Sequence, residues 1–493
     1  MPELASLMQT LQATLTPYFP WMVTLSWAIL FSSAAQIAVY IIQLPAAWAE
    51  LRRYSQVGDT ESEWQLLVSD AVLPITLILP AYNEEAVIVE STRSMLGLEY
   101  PQSEVIVVND GSKDRTLDVL KEAFDLEPIE RAYNPSVPHA PIRCLYGSPL
   151  YPNLLVIDKE NGGGKADAMN AGVDLSRCPL FCVVDADSLL EAAALLRGVR
   201  PFMEEPERTI AVGGTIRIAN GCEVVGGRVM HAGLPDKFLP LVQTLEYIRA
   251  FLVARLALSR WGILTIISGA FGIFRRDVVV EVGAFSHDTV GEDFDLIVKL
   301  HRHMRSQNKT YDMKYVPEPV CWTEAPETRK VLKAQRKRWQ RGALEVLFKN
   351  RDMLFNPAYG RIGMLGLPYA FIVDFAGPIF QVLGYLLLPV FFLLGAIHLP
   401  FLLAYMALVI LCGIFVSLSS LCLEEMELQR TEGTGGLLKL MGVAVIENLG
   451  YRQLNNFWRM AGWWEFLRKK QGWGEMTRKG FATKANASTK DLG

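Results

Sequence analysis

Two aspartates that stand two residues apart are the part of the sequence best suited to hold a cation. Asp185 and Asp187 follow the short apolar run Leu180–Val184, which is typical of a buried strand. Carboxylates at this spacing beside a strand point to the same side and repel each other, so a cation should lie between them. Mg²⁺ and Mn²⁺ prefer oxygen ligands and often add substrate phosphates to one or two carboxylates. The pair therefore predicts a divalent-metal site that bridges the protein to a diphosphate.

Three further polar clusters follow apolar runs or lie in a glycine-rich loop. Each is weak alone, because Asp-Gly-Ser also forms ordinary turns and a triple glycine also forms flexible loops. The glycine loop lacks the P-loop spacing, and no dinucleotide-binding GxGxxG follows the first strand. In chain order all three precede the aspartate pair, which favours a nucleotide-binding site. The clusters are Pro80–Glu85, Asn109–Ser112 and Asn161–Asp167.

Two later motifs add an acid and a cation–aromatic pair. Asp293 opens a helical stretch that runs to about His303, although an acidic residue there also simply favours the start of a helix. In the segment Gln335–Gly342 an arginine adjoins a tryptophan. Arginine binds phosphate in a forked geometry, and an indole ring stacks on sugar C–H surfaces. The same segment also reads as a basic amphipathic helix on a membrane surface.

Residues 50–360 are predicted to form the α/β domain that positions these motifs. Short apolar runs at Leu73–Pro80, Glu104–Val108 and Leu154–Ile157 each precede a helical or turn-forming stretch. Strands that alternate with helices predict a doubly wound, mostly parallel sheet. Ligands of such sheets bind beyond the carboxyl ends of the strands. All the polar clusters that follow strands should therefore meet at one edge.

Membrane-spanning helices are predicted on both sides of this domain. Trp21–Leu44 contains no charged residue and has the length of about 20 residues that a crossing requires. Ile379–Ile397 and Phe401–Leu421 are the clearest C-terminal spans. Ile362–Gly377 is either an interfacial helix or the start of the next span. Leu437–Phe457 carries charges and suits an interfacial helix as well as a span, so we expect two C-terminal crossings, with four as the alternative.

The distribution of basic residues predicts the orientation. Residues 1–20 contain no Lys or Arg, whereas Arg52 and Arg53 follow the first span. The positive-inside rule places the N-terminus outside and the domain in the cytoplasm. We therefore expect a multi-pass protein of the inner (plasma) membrane. It would comprise an N-terminal span (1–49), a cytoplasmic domain (50–360), and C-terminal helices with a basic cytoplasmic tail (361–493).

Composition excludes several classes of protein. The net charge is −4, so no global basic surface indicates nucleic acid as a partner. The seven cysteines are scattered without zinc-binding spacing, which favours reduced cytosolic thiols.

Together the motifs resemble those of the membrane-integrated family 2 glycosyltransferases, which include cellulose, chitin, hyaluronan and poly-N-acetylglucosamine synthases. The resemblance covers about residues 74 to 342 and is closest to the bacterial poly-N-acetylglucosamine synthase type. One departure is Gly291, where the family often has Thr. The family pattern of D, DxD, a TED-like motif and QxxRW appears here as Asp110, Asp185-Ala186-Asp187, Glu292-Asp293 and Gln335-x-x-Arg338-Trp339.

The resemblance implies a nucleotide-sugar-binding GT-A-type fold and assigns a role to each motif residue. Asp293 would be the general base, and Asp187 with Asp185 would bind Mg²⁺ or Mn²⁺. The donor-binding residues would be Tyr82 on the uracil, Asn83, Glu84 and Asp110 on the nucleoside, Lys165 on the nucleotide side, and Asp185 near the donor sugar. Gln335, Arg338 and Trp339 would hold the diphosphate and the acceptor end, and the Phe271 loop would line the acceptor site.

The implied activity is that of a metal-dependent, inverting β-glycosyltransferase that uses UDP-GlcNAc or UDP-Glc at the cytoplasmic membrane face. A processive polysaccharide synthase is the leading hypothesis, with an accessory export subunit as a further candidate partner. The alternative is a single transfer to a lipid acceptor, which few C-terminal spans would favour. A catalytically silent, nucleotide-binding scaffold is disfavoured because all the expected carboxylates are present.

Overall fold

The computed structural model of the 493-residue chain describes residues 10, 12–57, 72–428 and 433–469. Most of the predicted basic tail follows residue 469 and lies outside the described residues.

A mixed ten-stranded sheet forms the centre of the molecule, with the order β3-β4-β5-β2-β1-β6-β11-β8-β12-β7. Its neighbouring strands β5, β2, β1 and β6 are parallel, whereas β3, β4, β7 and β11 pair antiparallel with their neighbours. A separate hairpin consists of β9 and β10. The strands are β1 Ile75–Ala81, β2 Ser103–Asn109, β3 Glu127–Ile129, β4 Ile142–Gly147, β5 Leu154–Lys159, β6 Leu180–Val183, β7 Ser188–Leu190, β8 Thr209–Ile218, β9 Glu223–Val225, β10 Arg228–His231, β11 Gly272–Arg275 and β12 Asp312–Thr323.

The helices of the α/β domain connect these strands. They are α2 Ile88–Leu96, α3 Thr116–Phe124, α4 Lys165–Leu175, α5 Ala194–Glu204, α6 Phe238–Tyr247, α7 Arg255–Arg260, α8 Arg276–Glu281, α9 Glu292–Ser306 and α10 Arg329–Lys349, with a π-helical segment, Ile248–Ala254, between α6 and α7. Helix α1, Phe19–Val57, precedes the domain. The predicted α/β fold with a mostly parallel central sheet is confirmed.

The central strands are buried because apolar residues occupy both of their faces. Every residue of β1 and β5 is buried, including the last one, Lys159. Parallel strands covered on both sides read as continuous apolar runs, which is why these strands were visible in the sequence. The register aligns the ends of three neighbours: Ala81 pairs with Asn109, and Asn109 pairs with Asp158. The residues that follow these strands therefore share one edge of the sheet.

Three helices are long and apolar enough to cross a membrane within the described ranges. They are Gln12–Ser55, Ile362–Leu393 and Leu399–Leu428. The segment Ile362–Gly377 is thus the start of the second of these helices, whose regular last part is α11, Gly377–Leu393. The third is α12, Leu399–Leu428. One N-terminal and two C-terminal helices of this kind agree with the expectation from the sequence.

The predicted weak span Leu437–Phe457 is not one helix. It is divided between α13, Gly433–Ile446, and α14, Tyr451–Leu467. Helix α14 packs on α10, where Arg459 donates a hydrogen bond to Gln340 at 3.0 Å. Its contact with the α/β domain explains why this segment retains polar residues.

Ion pairs join the α/β domain to the C-terminal helices. Arg249 binds Glu447 at 2.5 Å, and Arg217 and Lys337 pair with Glu424 and Glu465. These pairs connect strand β8, the π-helical segment and helix α10 to α12, α14 and the turn before α14.

Candidate active site

The loops after β1 and β2 are bound to each other at the carboxyl edge of the sheet. The backbone N–H of Asn83 donates to Ser112 Oγ at 3.0 Å, and Asn83 Oδ1 accepts from the N–H of Lys113 at 2.8 Å. The N–H of Glu84 donates to Thr116 Oγ1 at 2.8 Å. Asn83 has a φ of 58°, in the left-handed region that Asn tolerates. The amide oxygen of Asn83 thus fixes the neighbouring loop.

Tyr82 is available for stacking at this edge. Its side chain is 44% exposed although it directly follows the fully buried strand β1. An exposed aromatic ring is unusual beside a core strand and suits the planar base of a nucleotide.

A buried lysine holds the carboxylate of Asp110. Lys159 is completely buried at the end of β5, and its Nζ lies 2.5 Å from Asp110 Oδ1. The same ammonium group pairs with Asp167, in the first turn of α4. The N–H of Gly162 also donates to Asp110 Oδ1, at 3.2 Å. Lys159 was not predicted as a site residue, and Asp167 was included only as the end of the polar cluster Asn161–Asp167. A lysine that ends an apolar strand was an available signal, because buried lysines are nearly always paired.

A second lysine lies among three acids that come from two other parts of the chain. Lys165, the first residue of α4, pairs with Asp185 Oδ1 and donates to the carbonyl oxygen of Gly269 at 3.1 Å. Burial alone would lower the pKa of Lys165, but the charges of Asp185, Glu292 and Asp293 outweigh burial and raise it. The repulsion expected between Asp185 and Asp187 is therefore partly relieved by a lysine.

Gly269 allows this close approach. A Cβ atom there would lie 2.9 Å from Lys165 Nζ and 4.0 Å from Asp293 Cβ. The Gly269 backbone thus lies beside both the lysine and the acid.

The surroundings of Glu292 and Asp293, at the start of α9, disfavour the charged forms of both carboxyl groups. Burial, followed by repulsion from Asp293, raises the pKa of Glu292, while Lys165 opposes the shift. Burial also raises the pKa of Asp293; the N–H of Phe294, which donates to Asp293 at 2.8 Å, and the charge of Lys165 act in the opposite direction. Glu292 is buried and Asp293 is half-buried. Asp293 is therefore the more accessible carboxylate, with a pKa closer to neutrality than that of an exposed aspartate, as general bases require.

The metal predicted at Asp185 and Asp187 fits an open site. In the described ranges, no three His, Cys, Asp or Glu side chains are grouped so that they could hold an ion by themselves. Mg²⁺ rarely needs such a cage, because it binds through one or two carboxylates together with substrate phosphates and water. Asp187 is half-buried and stands two residues after Asp185, which pairs with Lys165. The donor set present suits a hard divalent cation that arrives with a diphosphate.

Helix α10 presents the QxxRW residues with three different exposures. Gln335 is buried, and its Oε1 atom has no hydrogen-bond partner among the described residues. Arg338 is half-buried, and Trp339 is 42% exposed. The guanidinium of Arg336 lies over the Trp339 ring, 4.7 Å from its centre, and also pairs with Glu246. Arg336 was missed in the sequence, although residues three apart on a helix are neighbours.

Helices α9 and α10 meet through two glycines. A Cβ atom on Gly291 would lie 3.0 Å from the backbone carbon of Gly342, and one on Gly342 would lie 2.8 Å from the nitrogen of Gly291. Thr289 supplies hydroxyl contacts nearby, accepting from the N–H of Gly291 at 3.1 Å and donating to Glu345 at 3.1 Å. The departure at Gly291 therefore has a structural reason: it brings the start of α9 against α10.

The side chain of Phe271, whose loop is predicted to line the acceptor site, points into the domain core. It is completely buried and packs beside Gly198 and Gly214 in the domain core. Phenylalanine in a short loop can face either solvent or core, and here the small neighbours make room for the ring. The backbone of the loop, at Gly269, contacts Lys165 and Asp293.

The structure thus forms two adjacent groups from the predicted residues. Asp110 lies with the loops that carry Tyr82, Asn83 and Glu84, and Asp185 lies with Lys165 near Asp293. Helix α4 links the two groups, because Lys165 and Asp167 stand in its first turn and bind one group each.

Comparison with known proteins gives two family matches. Residues 76–283 match the family described as Glycosyl transferase family 2, and residues 180–421 match Glycosyl transferase family group 2. The matches overlap and together extend over the α/β domain and into α12.

Curated relatives include bacterial synthases. A poly-beta-1,6-N-acetyl-D-glucosamine synthase of Staphylococcus epidermidis (strain ATCC 35984) is 29% identical over 276 residues, which are 56% of this chain and 56% of that protein. One from Staphylococcus aureus (strain COL) is 27% identical over 281 residues, 57% of each chain. The chain thus matches little more than half the length of these relatives.

Among solved structures, the mannosyltransferase PcManGT from Pyrobaculum calidifontis, in complex with GDP-Man and Mn²⁺, aligns with a TM-score of 0.50. The sequence identity is 17%, and the alignment covers 88% of this chain and 100% of that chain. At this identity the similarity demonstrates a shared GT-A-like fold.

Proposed function

Since this chain belongs to the family 2 glycosyltransferases, we propose that it is a membrane polysaccharide synthase that transfers sugar units from a UDP-sugar to a growing glycan. The observation that carries this proposal is the group formed by Lys165, Asp185 and the acidic pair at the start of α9, at the carboxyl edge of the sheet. Three apolar helices, one before the domain and two after it, support a membrane location.

We further propose UDP-N-acetylglucosamine as the donor. The support is that the curated relatives described above are poly-beta-1,6-N-acetyl-D-glucosamine synthases. UDP-glucose, which the sequence left open, is the comparison donor. The uracil would stack on Tyr82, and Asp110, fixed by Lys159, would contact the nucleoside.

In the proposed reaction Asp293 accepts the proton of the acceptor hydroxyl while that oxygen attacks the anomeric carbon. The bond from the anomeric carbon to the diphosphate breaks in the same step, so UDP leaves and the configuration inverts. A positioned base of this kind contributes about 10²–10⁴ to the rate. Arg338 and Gln335 would bind the diphosphate, and the exposed ring of Trp339 would support the acceptor sugar.

Asp187, with Asp185 beside it, would hold a Mg²⁺ or Mn²⁺ ion, whose charge offsets the charge that builds up on the leaving diphosphate. Lys165 keeps Asp185 oriented and moderates the repulsion among the acids of the site.

We propose that the protein lies in the inner membrane, with its N-terminus outside and its α/β domain in the cytoplasm. This orientation rests on Arg52 and Arg53 after the first span and on the lack of basic residues before it.

A single transfer to a membrane lipid is the second candidate function. It is favoured by the small number of apolar helices, because two C-terminal crossings in the described ranges offer little to enclose a glycan.

The experiment is an assay of UDP release from membranes that contain the full chain, with UDP-GlcNAc, UDP-glucose and other UDP-sugars and with Mg²⁺ or Mn²⁺. Radiolabelled product is then sized. A ladder with UDP-GlcNAc is expected, and one lipid-linked product would favour the second function. No UDP release with any donor would contradict both.

A further inference from the structure

A cleft that is lined in part by polar side chains lies among the apolar helices that flank the α/β domain. It is formed between α1, α11, α12 and the start of α14. Six polar side chains line it, although polar groups at membrane depth are costly and usually functional. They are Tyr40, Gln381, Tyr385, Asn448, Arg452 and Gln453.

The charges beside the cleft do not balance. Glu447 is completely buried, and Arg249 binds both of its carboxylate oxygens, at 2.5 and 3.2 Å, so this pair is neutral. Arg452 is a second cation on the same carboxylate, at 3.3 Å. Two guanidinium groups therefore face one carboxylate, which leaves one positive charge in excess.

The excess charge faces the cleft rather than the protein interior. Arg452 keeps 28% of its side chain exposed and lines the cleft, whereas the carboxylate of Glu447 is fully enclosed. Ser417 Oγ accepts hydrogen bonds from both arginines, at 2.8 Å from Arg249 and 3.0 Å from Arg452. Among the described residues that line the cleft, Arg452 is the only charged one.

The start of α14 adds to the positive potential. Arg452 and Gln453 stand in the first turn of this 17-residue helix, whose N-terminal end carries a partial positive charge. An anion placed beside Arg452 would be stabilised both by the guanidinium group and by the N-terminal end of the helix.

We propose that this cleft binds the phosphate group of an anionic phospholipid, with Arg452 as its counter-ion. A basic pocket between membrane helices is suited to a lipid head group, because the bilayer supplies the phosphate at the required depth. A neutral sugar would satisfy the polar lining but would leave the charge of Arg452 unbalanced. The lipid would lie where Arg249, from the α/β domain, meets the membrane helices, so its binding should stabilise the joined molecule.

The test measures lipid retained by the purified full chain. Detergent-solubilised protein is stripped of lipid, incubated with phosphatidylglycerol or phosphatidylcholine, and washed, and bound lipid is quantified by mass spectrometry. We expect phosphatidylglycerol to be retained in preference to phosphatidylcholine, and Arg452→Gln to reduce its retention by about fivefold or more. Arg452→Lys should retain most of it.

Arg52→Gln is the matched control. Arg52 is an exposed cation near the membrane boundary, where it stacks on Trp48 at 4.2 Å, so general attraction to anionic lipid would involve it equally. Its substitution should leave retention unchanged. Phosphatidylglycerol should also raise the unfolding temperature of the wild type and not that of Arg452→Gln.

Four results would overturn the proposal. The first two are equal retention of the two lipids by the wild type and unchanged retention in a folded Arg452→Gln variant. The third is displacement of the lipid by inorganic phosphate, which would indicate that the cleft binds a soluble anion. The fourth is displacement by a neutral N-acetylglucosamine oligosaccharide, which would indicate that the cleft is a path for sugar. If the variant does not fold, the retention of the two lipids by the wild type still tests the proposal.

Discussion

The ammonium group of Lys165 is hydrogen-bonded to the carboxylate of Asp185, although 20 residues separate them in the chain. The contact joins the first residue of α4 to the residues that follow β6. Because the charge of Lys165 also acts on Glu292 and Asp293, one side chain influences the ionisation of three acids. Several of the expected effects of substitution follow from this arrangement.

Asp293→Asn should abolish sugar transfer, with a loss of about 10²–10⁴ in kcat, because no base remains to accept the acceptor's proton. Binding of UDP, measured by calorimetry, should change little, since Asp293 is grouped with Lys165 and Asp185 and not with the loops that carry Tyr82 and Asp110. Asp293→Glu retains a carboxylate and should keep part of the activity. Near wild-type turnover in Asp293→Asn would show that the base is another group.

The pH dependence of transfer should reflect the raised pKa of Asp293. A base must be deprotonated, so kcat should fall as the pH drops through this pKa, which burial places above the range of an exposed aspartate. Removing the charge of Lys165 removes an effect that lowers the pKa. Lys165→Gln should therefore move the acidic limb of the kcat profile to higher pH, while Lys165→Arg should leave it nearly in place. An acidic limb that does not move in Lys165→Gln would separate the lysine from the base.

Chelation with EDTA should stop transfer, and added Mg²⁺ or Mn²⁺ should restore it. Asp187→Asn should raise the metal concentration needed for half-maximal activity by about tenfold or more, because it removes a charged ligand. Asp118→Asn, an exposed acid on α3, is the control and should titrate like the wild type. Full activity in EDTA would contradict a metal-dependent reaction.

Lys159→Met should destabilise the chain by about 3–5 kcal/mol, because it leaves the buried carboxylates of Asp110 and Asp167 without their cation. Thermal unfolding in detergent measures the effect. Adding Asp167→Asn should recover part of the loss, since one of the two orphaned charges disappears. The exposed Lys113→Met is the matched control. Equal loss in the single and double variants would mean that the charges are not coupled.

Gly291→Thr, which introduces the residue common in the family, should lower both stability and activity here. Its Cβ would lie 3.0 Å from the backbone of Gly342, so α9 would have to move away from α10, at a cost of about 1–3 kcal/mol. Gly442→Ala is the control, because a Cβ at Gly442 meets open space. Unfolding temperature and kcat are measured together. A variant with both values unchanged would show that the two helices can separate freely.

The buried strands could be predicted from the sequence because their signal is local. The apolar run Leu73–Pro80 corresponds to β1, Ile75–Ala81, and Leu180–Val184 corresponds to β6, Leu180–Val183. The rule that ligands bind at the carboxyl ends of parallel strands then indicated which polar residues share an edge.

Pairings between distant polar residues could not be predicted in the same way. Nothing local in the sequence indicates that Lys159 binds Asp110, or that Lys165 rather than a metal ion alone faces Asp185. The orientation of Phe271 depends on small residues far away in the chain, and a loop phenylalanine carries no sign of which way it turns. Propensity and periodicity report local burial, whereas these contacts arise only when the sheet is assembled.

The ion pairs between the α/β domain and the C-terminal helices limit how the protein can be divided. A polypeptide that ended at residue 360 would retain Arg217, Arg249 and Lys337 but would lack Glu424, Glu447 and Glu465. The face that normally contacts the C-terminal helices would then be exposed, and its basic side chains would lack their acidic partners. The catalytic half and its membrane anchor therefore form one folding unit, and truncation at the apparent domain boundary is a poor route to a soluble enzyme.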